Sequence, residues 1–112
     1  MKKIEAYVKS HQLNAVVERL HDIDGLTGMS VTEVRGFGRT RDGGSVHMVD
    51  NTVGSVPHVK IEVFCSDAIA ETAVAAILDG AHTGLRADGK IYVLPVEEAI
   101  RISTKERGEE VV

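Results

Sequence analysis

The chain has 112 residues, 43% hydrophobic and 27% charged, a size and balance that allow one packed core and exclude a disordered polymer. Its net charge of −4 disfavours nucleic acid as the main partner, and a lone cysteine, Cys65, excludes an internal disulfide framework. No apolar stretch reaches the length of a membrane span, and the opening MKKIEAYVKS lacks a signal-peptide apolar region, so the expected location is the cytoplasm.

Residues 3–9 alternate, with Ile4, Ala6 and Val8 on one side and Lys3, Glu5, Tyr7 and Lys9 on the other, the period of a half-buried strand. Leu13, Val16, Val17, Leu20 and Ile23 then recur at helical spacing, and Gly25 is expected to stop that helix. A second strand is expected over 29–36. Residues 37–57 carry several glycines, no sustained periodicity and a closing Pro57, and read as one long loop. The third strand is clearer: Val59, Ile61, Val63 and Cys65 share one face, Lys60, Glu62 and Phe64 the other. Asp67 is placed as the cap of a helix bearing Ile69, Ala73, Val74, Ile77 and Leu78, closed by Gly80. A polar loop from His82 to Lys90 leads to a strand Ile91–Val96, and 101–112 form a polar tail expected to be mobile.

The order β-α-β-β-α-β is that of an α+β, ferredoxin-like plait: one domain, 1–112, with its long flexible loop between strands 2 and 3. Two helices cover one face of its sheet. The other face carries Tyr7, Glu62, Phe64 and Tyr92, too apolar to be left wholly in water, since burying one aromatic ring is worth about 1.5–3 kcal/mol. A partner subunit, a ligand or both are expected to cover it. A loop as long as 37–57 in so small a domain is uncommon and usually functional.

Four segments can carry chemistry. Gly36-Phe37-Gly38-Arg39, followed by Thr40 and Arg41, combines glycines that let backbone approach a ligand with guanidinium forks that suit phosphate. Asp88-Gly89-Lys90 puts a point charge beside a flexible turn. Thr27-Gly28-Met29-Ser30 offers hydroxyls for a base or ribose, and Arg101-Ile102-Ser103 another cation. Alone, the first two read better as plain turns, and the last two equally well as a turn and a solvated surface. Five histidines raise a metal reading, but the separation of His47 from His58 is no ligand spacing, and scattered surface histidines explain them better. No carboxylate pair, Ser–His–Asp or Cys–His arrangement supports catalysis, so no enzyme is expected.

Taken together, these segments in this order resemble the PII family of nitrogen and carbon signal-transduction regulators over nearly the whole chain. The stretches MKKIEAYVK, TGMSVTEVRGFGR, PHVKIEV, TG…DGKIYV and IRI carry the likeness. The resemblance implies a homotrimer that binds ATP and ADP competitively in clefts between subunits, with magnesium, and a long loop that docks into a target protein. On one side of the nucleotide it implies Ser30, Gly36, Phe37, Gly38, Arg39 and Thr40, with Glu62 on the open face and Phe64 beside the adenine. On the other it implies Ala87, Asp88, Gly89, Lys90, Arg101, Ile102 and Ser103, with the cations on phosphate.

The departures are specific. Thr40 stands where relatives that bind 2-oxoglutarate have glutamine, His58 where they have lysine, Ser103 for an arginine and Ala87 for a glycine. The loop TRDGGSVHMVDNTVGSV has no tyrosine, so the usual uridylylation target is missing. The chain therefore reads as a divergent PII-like regulator that binds nucleotide without tight 2-oxoglutarate binding. The rival is a PII-like trimer sensing a metal ion or a small anion such as bicarbonate, linked to transport or efflux.

Overall fold

Alternation, helical spacing and glycine placement all resolve into one layer of helices on one sheet. The computed structural model describes residues 1–39, 46–49 and 56–112, with backbone alone for 36–39 and 46–49. Strand β1 (Lys2–Lys9) leads through a 3-10 turn, Ser10–Gln12, into helix α1 (Leu13–His21). Strands β2 (Ser30–Val34), β3 (Gly36–Arg39), β4 (Val46–Val49) and β5 (His58–Cys65) follow, then helix α2 (Asp67–Ala81) and strand β6 (Gly89–Pro95).

Four strands form an antiparallel sheet in the order β2-β5-β1-β6, so the strands nearest the middle, β1 and β5, are those with the cleanest alternation. Their register pairs Ile4 with Val63 and Ala6 with Ile61, while Ile4 also meets Val93 of β6. The aliphatic residues therefore stack in rows on one face. Ile4, Ala6, Ile61 and Val63 are wholly buried there under Val16 and Leu20 of α1 and Ala73 and Ile77 of α2. Cys65 ends the row on β5, 2% exposed, and burial pushes its thiol pKa up.

Several expectations need correction. The second strand does not run from 29 to 36; it breaks at Arg35, and residues 37–57 are not one uniform loop. β3 and β4 pair as an antiparallel ribbon, Gly36 opposite Val49 and Arg39 opposite Val46. Two-stranded pairing is satisfied by main-chain bonds, so it leaves no apolar alternation for the sequence to reveal. Thr40 and most of the segment expected to be flexible, 41–56, lie outside the described residues.

Gly80 is not the end of α2, which runs on to Ala81. A methyl at position 80 would stand 2.9 Å from the Val16 backbone, so this glycine lets the two helices touch. Ser66 rather than Asp67 occupies the N-cap; Asp67 sits in the first turn, 3.0 Å from the Met1 ammonium, where a negative charge suits the helix dipole. The tail is not featureless. Arg101 N–H donates to Glu106 O at 2.9 Å, Gly108 N–H to Ala99 O at 3.0 Å, and a last 3-10 turn spans Glu109–Val111. Among the described residues no helix is long and apolar enough to cross a membrane.

Candidate functional site

The face of the sheet away from the helices is laid out in rows. Thr32, Lys60, Tyr7 and Lys90 are level across β2, β5, β1 and β6; Ser30, Glu62, Glu5 and Tyr92 form the next row; Phe64, Lys3 and Leu94 the one beyond. Charge alternates between rows, with Lys60 and Lys90 in the first, the register partners Glu62 and Glu5 in the second and Lys3 in the third. Lys3 Nζ lies 3.0 Å from Glu5 and 3.1 Å from Glu62, and Lys60 Nζ 3.2 Å from Glu62. Tyr7 donates its hydroxyl to Glu5 Oε1 at 2.6 Å and meets Tyr92 edge to face, ring centres 6.2 Å apart. The Lys3 hydrogen bond, then that of Lys60, lowers the Glu62 pKa; the Tyr7 hydroxyl, then Lys3, lowers that of Glu5. Lys3 also stands 5.9 Å over the Phe64 ring.

At one end of this face lies an open cleft of about 520 Å³. Thr27 to Ser30, Glu62 and Phe64 form one wall, and Ile100, Val111 and Val112 of the tail another. Thr27 Oγ1 donates to Val112 O at 3.4 Å. The cleft thus offers an apolar ring and aliphatic groups beside a few hydroxyls and the carboxylates of Glu62 and Glu98, a lining suited to a flat heteroaromatic group.

At the other end the loop between α2 and β6 is held tightly. Asp88 accepts from Thr83 N–H at 2.9 Å, from Gly84 N–H at 3.0 Å and from the Thr83 hydroxyl. Lys9, only 3% exposed, places its ammonium 3.0 Å from Asp88 Oδ1 and 3.1 Å from Thr83 Oγ1. Thr83, first by its hydroxyl and then by its amide, with Lys9 behind it, holds the Asp88 carboxyl far below the usual carboxylate range. Gly89 has φ +105°, and a Cβ there would fall 1.7 Å from Tyr7 O; only glycine lets β6 begin against β1 at this point. Lys90 is exposed beside it.

His58, at the start of β5, bridges two segments. Its Nδ1 lies 2.7 Å from Val56 O and its Nε2 2.7 Å from Ala87 O. Ala87 has φ +64°, a left-handed conformation that costs a residue with a Cβ about 1 kcal/mol. The two departures His58 and Ala87 are therefore in contact.

The structure brings Ser30, Glu62 and Phe64 to the cleft, and Ala87, Asp88, Gly89 and Lys90 to the opposite loop. It does not bring these groups together within one chain. From Phe64 to the level of Lys90 is four residues along the strands and two strands across, about 13 Å by 10 Å. Gly36, Phe37, Gly38 and Arg39 form β3. Arg101, Ile102 and Ser103 lie in an exposed turn past the far end of β6, with Ile102 93% exposed. The sequence reading missed Lys9, assigned simply to the polar side of β1. The signal available was a lysine at the last position of an alternating strand, and only the fold supplies its partner. Among the described residues no group of three or more His, Cys, Asp or Glu could hold a metal ion.

A split βαββαβ sheet with an uncovered, ion-paired face and a glycine-anchored loop at its edge defines a small α+β domain of the ferredoxin-like kind. The chain belongs to the family of nitrogen regulatory proteins P-II, whose pattern it matches over residues 1–106. It is 49% identical over 109 residues to the nitrogen regulatory protein P-II of Rhodospirillum rubrum, and 47% to that of Azospirillum brasilense, covering 96% of each chain in both cases. Among solved structures it resembles the Arabidopsis thaliana PII bound to citrate, with TM-score 0.79 and 36% identity, covering 99% of this chain and 91% of that one.

Proposed function

We propose that this P-II regulator works as a homotrimer that binds ADP or ATP between neighbouring subunits and acts on a target protein through residues 41–56. One observation carries the reading. The cleft that suits a base and the loop that suits phosphates lie at opposite ends of one sheet face, and a second copy laid on that face can bring one subunit's cleft to its neighbour's loop. The exposure of Phe64 (46%), Tyr92 (49%) and Leu94 (41%) on that face supports the same arrangement. On this reading Lys90, Arg39 and Arg101 supply charge to the phosphates. His58 uses both ring nitrogens on main-chain carbonyls. That supports a site without tight 2-oxoglutarate binding, because the ring is turned toward main-chain carbonyls rather than toward a bound acid.

Sedimentation joined to calorimetry tests the proposal. ADP is expected to bind a trimer, and Lys90→Ala to bind it about tenfold more weakly or worse, the loss of one charge-assisted contact. A stable monomer at micromolar concentration would remove the shared site. Heat with a divalent metal or bicarbonate but none with nucleotide would replace this ligand with that one.

A further inference from the structure

A neutral imidazole has one N–H and one bare nitrogen, so it can donate to only one acceptor. His58 faces two, the carbonyls of Val56 and Ala87, each at 2.7 Å. Both contacts are hydrogen bonds only when both ring nitrogens carry hydrogen; otherwise one pair sets lone pair against lone pair. We infer that His58 is a protonation-dependent clasp: as the imidazolium it ties the chain leaving the long segment, at Val56, to the loop that precedes Gly89 and Lys90, at Ala87. On losing one ring proton it releases one of the two.

The position gives the clasp its leverage. Val56 lies two residues ahead of His58 at the entrance to β5, and Ala87 adjoins Asp88, whose side chain organises the 82–88 loop. Lys9 fixes that loop through Asp88 from the β1 side, and His58 fixes it through Ala87 from the β5 side. Among the described residues, the ionisable groups on the elements packed around His58 are few. They are Lys9, its register partner on β1; Glu33 and Arg35, on either side of its register partner Val34 on β2; Lys60 along its own strand; and Asp88, His82 and Arg86 of the loop. Lys9 is paired to Asp88 at 3.0 Å, and His82 Nδ1 stands 3.7 Å from the same carboxylate. Neither carbonyl changes charge. The ring proton is therefore the variable that makes or breaks the link.

The effect on ligand binding rests on the nucleotide reading above; the clasp itself does not. Heteronuclear NMR of the full chain, from about pH 5.5 to about pH 8.5, spans the range in which histidines ordinarily change charge. Both His58 ring nitrogens are expected to carry hydrogen at the acid end. The carbonyl carbons of Val56 and Ala87 should shift with the same midpoint as the ring. Over that range ADP affinity should fall by about tenfold, the low end of what one charged hydrogen bond is worth, since His58 acts on the loop and not on the nucleotide. In His58→Lys, whose ammonium keeps its donors throughout, the fall should vanish, which also separates the effect from ionisation of the nucleotide. A ring with a single proton across the whole range, or carbonyls that stay still while the ring titrates, overturns the clasp. An equal fall in wild type and His58→Lys overturns its control of binding. If ADP binds at no pH, the nucleotide reading fails, and the ring and carbonyl signals still decide the clasp.

Discussion

Ile61 and Glu62 are neighbours on β5, and they show how differently the two faces of the sheet are held. Ile61 is wholly buried in rows of aliphatic residues under the helices. Glu62 lies on the other face, between Lys3 and Lys60, in a ladder of ion pairs that water still reaches. Burial of uncharged aliphatic groups stabilises the first face with no dependence on the screening of charge. Solvated ion pairs on the second contribute little to folding, because water and salt screen them and long side chains resist being fixed. One alternating pattern thus builds a face that holds the fold and a face left available for recognition.

The largest effect should come from the closed face. Ile61→Ala is expected to lower unfolding free energy by about 2–5 kcal/mol, the cost of a buried isoleucine and the cavity it leaves. Urea titration reads this directly, and a loss well under that range would mean that the rows are loosely packed.

Lys9→Met probes the border between the two faces, where a charge is buried at the edge. The folded Asp88 has a lowered pKa, so its contribution is complete above the ordinary carboxylate range and is lost only as pH falls deep into acid. The Thr83 and Gly84 amides should therefore keep their hydrogen-bonded shifts in acid. In Lys9→Met the transition should move up only part of the way toward about pH 4, where an ordinary aspartate titrates, because the Thr83 hydroxyl and amide remain. An unchanged acid midpoint would show that Thr83 and Gly84 alone hold the carboxylate.

The smallest effect on folding belongs to the open face. Glu62→Gln should leave the urea midpoint of the wild type essentially in place while weakening the salt dependence of subunit association. A marked loss of fold stability would show that the ladder is structural, and the distinction between the faces would fall.

The closed face was legible in the sequence because strand and helix periods are set by geometry alone: Ile4, Ala6 and Val8, then Val59, Ile61 and Val63, are where alternation puts them. Main-chain pairing was not, so the ribbon of β3 and β4 went unseen within 37–57. The site was legible in its pieces and not in its distances. Asp88 and Gly89 stood out as a turn, but nothing along the chain says that Lys9 closes on Asp88 or that His58 reaches Ala87. Those contacts join residues far apart in the chain, which meet at one end of the sheet only once β1 has paired with both β5 and β6. Gly80 misled for a related reason: a glycine near a helix end reads as a stop, whereas here it accommodates the backbone of a second helix.

The position of Cys65 has a practical consequence. A thiol must ionise and meet its reagent before it can be alkylated, and this one is sealed in the last row of the core with its ionisation disfavoured by burial. Labelling should therefore await an opening of the strand and helix that cover it. Since it is the chain's single cysteine, the rate of modification counts openings at one known address. The protein carries its own stopwatch for core breathing, readable in a mixture or a crude lysate by mass alone, with no dye, tag or engineered residue.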